Sequence, residues 1–291
     1  MTAVRDEVHP PLERGGGIQA STKVLLVAFI GLTLVATNQL FLLARHTATL
    51  FSWTIQPALS AAFLGASYAA GCVLSVLAFR ARAWRDARTA LITVLVFAVL
   101  TLAATLLHLD RFHFAAPGIV ARAAAWVWII VYVAVPVALS GVVIRQGRAE
   151  PAPSVGETLP RWLRGLLALQ GVILGVAAVG LYLAPTITAR WWPWLLTPLT
   201  ARMTAAWLAA LAVAALLCLR EHDVSQVAAP AVAYVVFGVL QLVALLLYGE
   251  VVVWGSVALD LYLAALIVAI ATGASGLALV VRRRSTARRS R

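Results

Sequence analysis

Charge is what this 291-residue sequence has least of: Asp, Glu, Lys and Arg together make up 12% of it, against a hydrophobic share of 63%. So few charged side chains cannot cover a soluble globule of this size, which leaves lipid as the solvent for most of the surface. Cysteine is scarce too. Cys72 and Cys218 are the only two; both lie in apolar stretches, and neither stands in a CxxC or metal-ligand spacing, so they read as buried structural thiols. Also missing are a Walker loop, a dinucleotide glycine motif, GxSxG, HExxH, any lysine deep in an apolar run, and the paired histidines that a transmembrane haem needs. No cofactor is expected, and an enzyme is the less favoured class.

What the chain does have is long apolar runs, at 24–43, 57–79, 90–107, 123–144, 165–184, 203–219, 227–248 and 257–281. A helix rises about 1.5 Å per residue, so about 20 residues cross roughly 30 Å of hydrocarbon. Each run is continuous rather than alternating, which selects helices over barrel strands. The expected fold is an all-α polytopic bundle of eight transmembrane helices, with no room for a soluble catalytic domain between them. The first run follows a segment containing Asp6, Glu7 and Glu13 and is longer than a signal-peptide core, so it reads as a retained span.

The net charge of +12 would suggest nucleic acid in a soluble protein, but here the arginines lie between and after the apolar runs, where they orient the chain. Eighteen of the 23 basic residues fall on one side: the N-terminal segment, Arg80 to Arg88, Arg145 to Arg164, Arg220 and the tail from Arg282. Only Arg45, Arg111, Arg122, Arg190 and Arg202 fall on the other. This bias predicts a plasma-membrane protein with both termini cytoplasmic. Lipids are the expected partners, with a small-molecule solute and a second membrane protein or a copy of the chain as further candidates; nucleic acid is not expected.

The two halves look alike. Trp53-Thr54-Ile55-Gln56-Pro57 and Trp194-Leu195-Leu196-Thr197-Pro198 both lead into a second helix, each with a proline suited to a helix start after a polar residue able to cap it. Leu107-His108-Leu109-Asp110 and Leu247-Tyr248-Gly249-Glu250 both end a third helix, and Trp128 and Tyr262 hold comparable places in the fourth. A spacing near 140 residues predicts two like-oriented four-helix repeats, 24–144 and 165–281, with a cytoplasmic segment at 1–23, a linker at 145–164 containing Pro151, Pro153, Gly156 and Pro160, and a basic tail at 282–291.

Candidate chemistry gathers in two places. His108, Asp110 and His113, with Glu250, Asp260 and His46 on the same side, form a polar cluster at the arginine-poor mouth; two imidazoles and a carboxylate suit a metal, although His108 shares a face with the others only if the helix has already ended. Deeper lie the amides Asn38, Gln39, Gln170 and Gln241, with Tyr132 and Tyr234, as candidate solute contacts or interhelical hydrogen bonds. The glycines of the second helix and the Gly171/Gly175 pair of the fifth predict close helix packing. Trp191, Trp192, Trp194, Trp53, Phe51, Phe112, Phe114 and Trp254 read as an interfacial aromatic belt.

These features favour a small-solute permease or carrier with a pathway between the repeated halves. A noncatalytic scaffold or assembly factor stands close behind, and a protein acting on lipid or metal at the outer face comes last.

Overall fold

The structure is a computed structural model that describes residues 17–148, 159–221 and 224–289. The N-terminal acids and the linker residues Pro151, Pro153 and Gly156 lie outside the described residues. Among the described residues, eight helices are long and apolar enough to cross a membrane, and the chain is a multi-pass all-α membrane protein. They are α1 (Ala20–Thr37, continued by a π-turn at Asn38–Leu42), α2 (Ala58–Arg80), α3 (Trp84–Leu106), α4 (Ile119–Arg148), α5 (Arg161–Leu183), α6 (Pro198–Cys218), α7 (Ala228–Tyr248) and α8 (Val257–Arg289).

All eight runs expected from hydropathy are present, but five helices start earlier than the apolar runs do. α3 begins at Trp84 rather than 90, and α1, α4, α5 and α6 each begin four or five residues early. The physical reason is that backbone hydrogen bonding continues through the interfacial turn, where arginines reach water, while hydropathy stops at the last apolar residue. At the other end of the chain, α8 carries on through the basic residues to Arg289.

Burial separates an inner set from an outer one. In the apolar stretch of α2 and of α6, 72% of the residues are buried, against 28–33% in α1, α4, α5 and α8. α2 packs on α7 and α3, and α3 packs on α6, so two helices from each half make the centre. α1 lies on α2, α4 on α3, α5 on α6 and α8 on α7. The outer helices therefore meet lipid, and Val27, Val137, Val176 and Ile267 are exposed there.

Lipid tails are as apolar as leucine, so close backbone approach and interhelical hydrogen bonds must hold the centre together. A Cβ added at Gly65 would come within 2.5 Å of the Phe41 amide nitrogen, and one at Gly71 within 2.9 Å of the Trp207 ring. The Trp207 ring in turn stacks on Phe97 at 3.8 Å, filling the α3/α6 contact. Trp194 Nε1 donates to Ser60 Oγ at 3.0 Å across the halves, and Tyr234 donates to the Leu211 carbonyl.

At the arginine-poor end the connectors fold inward over the helix ends. Trp53 and Phe112 form an isolated antiparallel bridge, and the His113 amide donates to the Ser52 carbonyl at 2.9 Å. Phe51, Trp53, Phe112 and Trp194 are consequently core residues rather than members of an interfacial belt. Trp191 and Trp254 do face outward. The helix starts differ as well: Thr197 caps α6 through the Thr200 amide, whereas Gln56 offers α2 no cap and Pro57 itself holds that position.

Candidate functional site

The polar cluster at the arginine-poor mouth is dispersed by its own hydrogen bonds. α3 ends at Leu106, so the helix no longer keeps His108 apart from Asp110 and His113, yet the three still diverge. His108 turns to the second half, where its Nε2 accepts from Arg202 Nη1 at 2.7 Å. Arg202 Nε donates to the Tyr182 carbonyl, completing a link from α3 to α5 and α6. Burial, followed by the Arg202 guanidinium, pushes the His108 imidazole below its usual range, so the neutral ring is the acceptor.

His113 turns the other way. Its Nδ1 lies 2.9 Å from the Phe51 carbonyl and its Nε2 lies 3.1 Å from Thr54 Oγ1, so both ring nitrogens are engaged in joining two connectors. Asp110 pairs with Arg111 at 3.0 Å in the open, and Glu250 pairs with Arg45 at 2.8 Å. Asp260 and His46 are exposed. Among the described residues, no three His, Cys, Asp or Glu side chains stand close enough to hold a metal ion.

The four amides do not share a cavity either. Asn38 is exposed on the π-turn. Gln170 is buried in α5, and its Oε1 has no hydrogen-bond partner among the described residues. Gln241 is engaged at both amide atoms, donating to the Phe63 carbonyl at 3.0 Å while its Oε1 accepts from Tyr262 at 3.1 Å, which ties α7 to α2 and α8. Gln39 alone lines a sizeable space.

That space is a cleft of about 440 Å³ between α1 and α4, within the first half. Its α1 wall includes Phe29, Thr33, Val35, Ala36 and Gln39; its α4 wall includes Ile119, Ala123, Ala124, Val127, Trp128 and Tyr132; Phe51, Ser52 and Tyr68 close the back. The lining is overwhelmingly apolar, and the volume lies within the range of small-molecule sites. Gln39 projects into it from the π-turn, a distortion often found at functional positions. There its Nε2 donates to the Leu50 carbonyl at 2.9 Å, and Ser52 Oγ donates to the Ala124 carbonyl at 3.0 Å. At the deep end the Tyr68 and Tyr132 hydroxyls bond to each other.

Tyr132 is conspicuous in the sequence as a deep polar group, but Tyr68, Ser52 and the cleft itself are not. The available signal was a second tyrosine in the small-residue helix α2; which faces meet is a tertiary fact. In the second half α5 and α8 are in direct contact, and the neighbouring cavity holds only about 20 Å³.

At the opposite, arginine-rich end, Arg88 and Thr89 of α3 reach Glu221 beyond α6. Glu221 is buried and receives both contacts across the junction of the halves. Compared with known protein families, curated proteins and solved structures, the chain matches none.

Proposed function

We propose that this membrane protein is a carrier for a small lipophilic molecule, which enters sideways from the bilayer through the α1/α4 cleft. The observation that carries the reading is the cleft: about 440 Å³ bounded by two lipid-facing helices, apolar along its length, and polar only at Gln39, Ser52, Thr33 and the two tyrosines. A polar-solute pathway between the halves has less support, because Gln241 is tied between Phe63 and Tyr262 and the Phe97/Trp207 stack occupies the α3/α6 contact.

The architecture we infer for this carrier is a pair of like-oriented four-helix repeats. Three local features support it. Phe51, Trp53 and Trp128 form a ring triangle with centroids 4.9 to 5.5 Å apart, and Trp192, Trp194 and Tyr262 form another at 5.3 to 5.7 Å. α3 and α7 are each followed by a short 3₁₀ turn, Leu109–Arg111 and Gly249–Val251. Each half also has a short 3₁₀ turn before its second helix, Ala44–His46 and Ala189–Trp191. The arginine bias supports a plasma-membrane placement with the arginine-rich end cytoplasmic.

Photolabelling in lipid nanodiscs with a diazirine-bearing hydrocarbon tests the binding step. Adducts should concentrate on peptides covering 29–39 and 119–132, and Ala36→Trp should remove them. Adducts spread as heavily over α5 as over α4 would refute lateral uptake. Proteoliposomes carrying the parent chain should also speed the probe's exchange between vesicles relative to Ala36→Trp.

A further inference from the structure

We infer that the deep end of the α1/α4 cleft is a hydrogen-bonding site for an oxygen of a neutral, lipophilic ring-carbonyl compound of the quinone type, with the donor supplied by the Tyr68/Tyr132 pair. This rests on the lateral-cleft reading and adds to it the chemistry of the guest.

The argument begins with protons. Two phenols carry two O–H donors, and the bond between Tyr68 and Tyr132 consumes one of them. Neither hydroxyl has another hydrogen-bond partner among the described residues, so one donor is left over. Both residues are 4% exposed, and both line the cleft. A buried O–H with no acceptor is unfavourable, and the neighbouring walls, Phe29 and Val131 among them, are apolar and offer a water molecule few further bonds. An oxygen on an apolar guest satisfies the donor without those further bonds.

Charge narrows the guest further. Apart from the two phenols, no ionisable side chain among the described residues lines the cleft, so a carboxylate or phosphate inside it would be buried without a counter-charge. The opposite end of the cleft is polar again: Gln39 has an amide oxygen and a second N–H beyond its bond to Leu50, and Ser52 Oγ keeps its lone pairs after donating to Ala124. Polar groups at both ends, with Phe51 and Trp128 between them, suit a flat ring bearing oxygens on opposite edges and stacking on aromatic walls. An alkyl tail leaves between α1 and α4, where Val35 and Val127 face lipid.

The pairing of the tyrosines gives the site a distinctive signature. If Tyr68→Phe removes one hydroxyl, Tyr132 no longer has a phenolic partner and still donates to the guest, and the converse holds for Tyr132→Phe. Only the double variant loses the donor. The experiment measures retention of a radiolabelled decyl-benzoquinone, and of decylbenzene as the oxygen-free counterpart, by the full chain in phosphatidylcholine nanodiscs. Each single variant should bind the quinone within about twofold of the parent, and the double variant about tenfold more weakly, with decylbenzene unchanged in all three. A double variant that binds the quinone like the parent overturns the assignment, as does displacement of the quinone by palmitate at equal concentration. If Ala36→Trp leaves both probes bound, the cleft itself is refuted; if it expels both while the double Phe variant changes nothing, only the ring-carbonyl assignment falls.

Discussion

Arg88 holds Glu221 with one guanidinium nitrogen, 3.0 and 2.9 Å from the two carboxylate oxygens, across the junction between the first and second halves. Thr89 adds a third hydrogen bond at 2.9 Å, and the Glu221 side chain is only 3% exposed. A carboxylate so placed is tolerable only while its donors stay. Breaking the pair from one side leaves an uncompensated charge, whereas removing both partners with apolar groups of similar shape is much milder. Arg88→Met alone should therefore lower stability by about 2 kcal/mol, reduced from the fully buried case because the arginine is partly exposed. Arg88→Met with Glu221→Leu should recover more than half of that loss. Thermal unfolding of the purified protein in detergent provides the comparison, and an additive double variant would disprove coupling.

Close approach at Gly65 makes a sharper demand. The Cβ of an alanine there would meet the Phe41 backbone nitrogen at 2.5 Å and the Leu40 carbonyl carbon at 2.8 Å, and backbone cannot rotate away. Gly65→Ala is expected to cost about 1 to 3 kcal/mol and to disturb the π-turn that carries Gln39. Gly118→Ala, with open space around the added Cβ, is the matched control and should leave the melting temperature unchanged.

The His108 imidazole is held below its ordinary pKa by burial and by the Arg202 guanidinium. The fold thus prefers the neutral ring, so its contribution to stability is complete above the unfolded value of about 6.5 and is lost as pH falls through the lower folded value. Melting temperature should drop as a titration proceeds below about pH 6.5. His108→Gln, whose side-chain oxygen can still accept from Arg202, should flatten part of that drop while leaving neutral-pH stability close to the parent. An unchanged pH profile in His108→Gln would exclude His108 as a contributor.

Orientation can be read with thiol chemistry because both native cysteines are buried. The parent chain should stay unlabelled by a membrane-impermeant maleimide in intact cells. Val253→Cys, exposed on the connector before α8, should label readily, and Ser285→Cys only after permeabilisation. The reverse pattern would invert the proposed topology.

The eight spans are legible in the sequence because hydropathy and helix length are one-dimensional properties, and the close packing at Gly65, Gly71 and Gly171 follows from the same local logic. The site was much less legible. His108 and His113 stand five residues apart and look like ligands of one ion, but each is oriented by a partner remote in sequence, Arg202 for one and the Phe51 carbonyl for the other. Gln241 looks like a solute contact until Phe63 and Tyr262 appear beside it. Tyr68 carries no local mark, and its significance depends on Tyr132, 64 residues away, meeting it across α2 and α4. Such pairings depend on which helix faces turn toward each other, and hydrophobic periodicity is nearly silent about that in helices that are apolar all round.

Between α5 and α8 there is direct contact, while α1 and α4, joined near their arginine-rich ends by Thr22 and Gln146, part around the cleft further along. Under the lateral uptake proposed above, a guest loads this cleft from the bilayer. Its occupancy is then governed by the guest's mole fraction in the membrane rather than its concentration in water, so apparent affinity should rise with the guest's partition coefficient even where every contact inside the protein is the same.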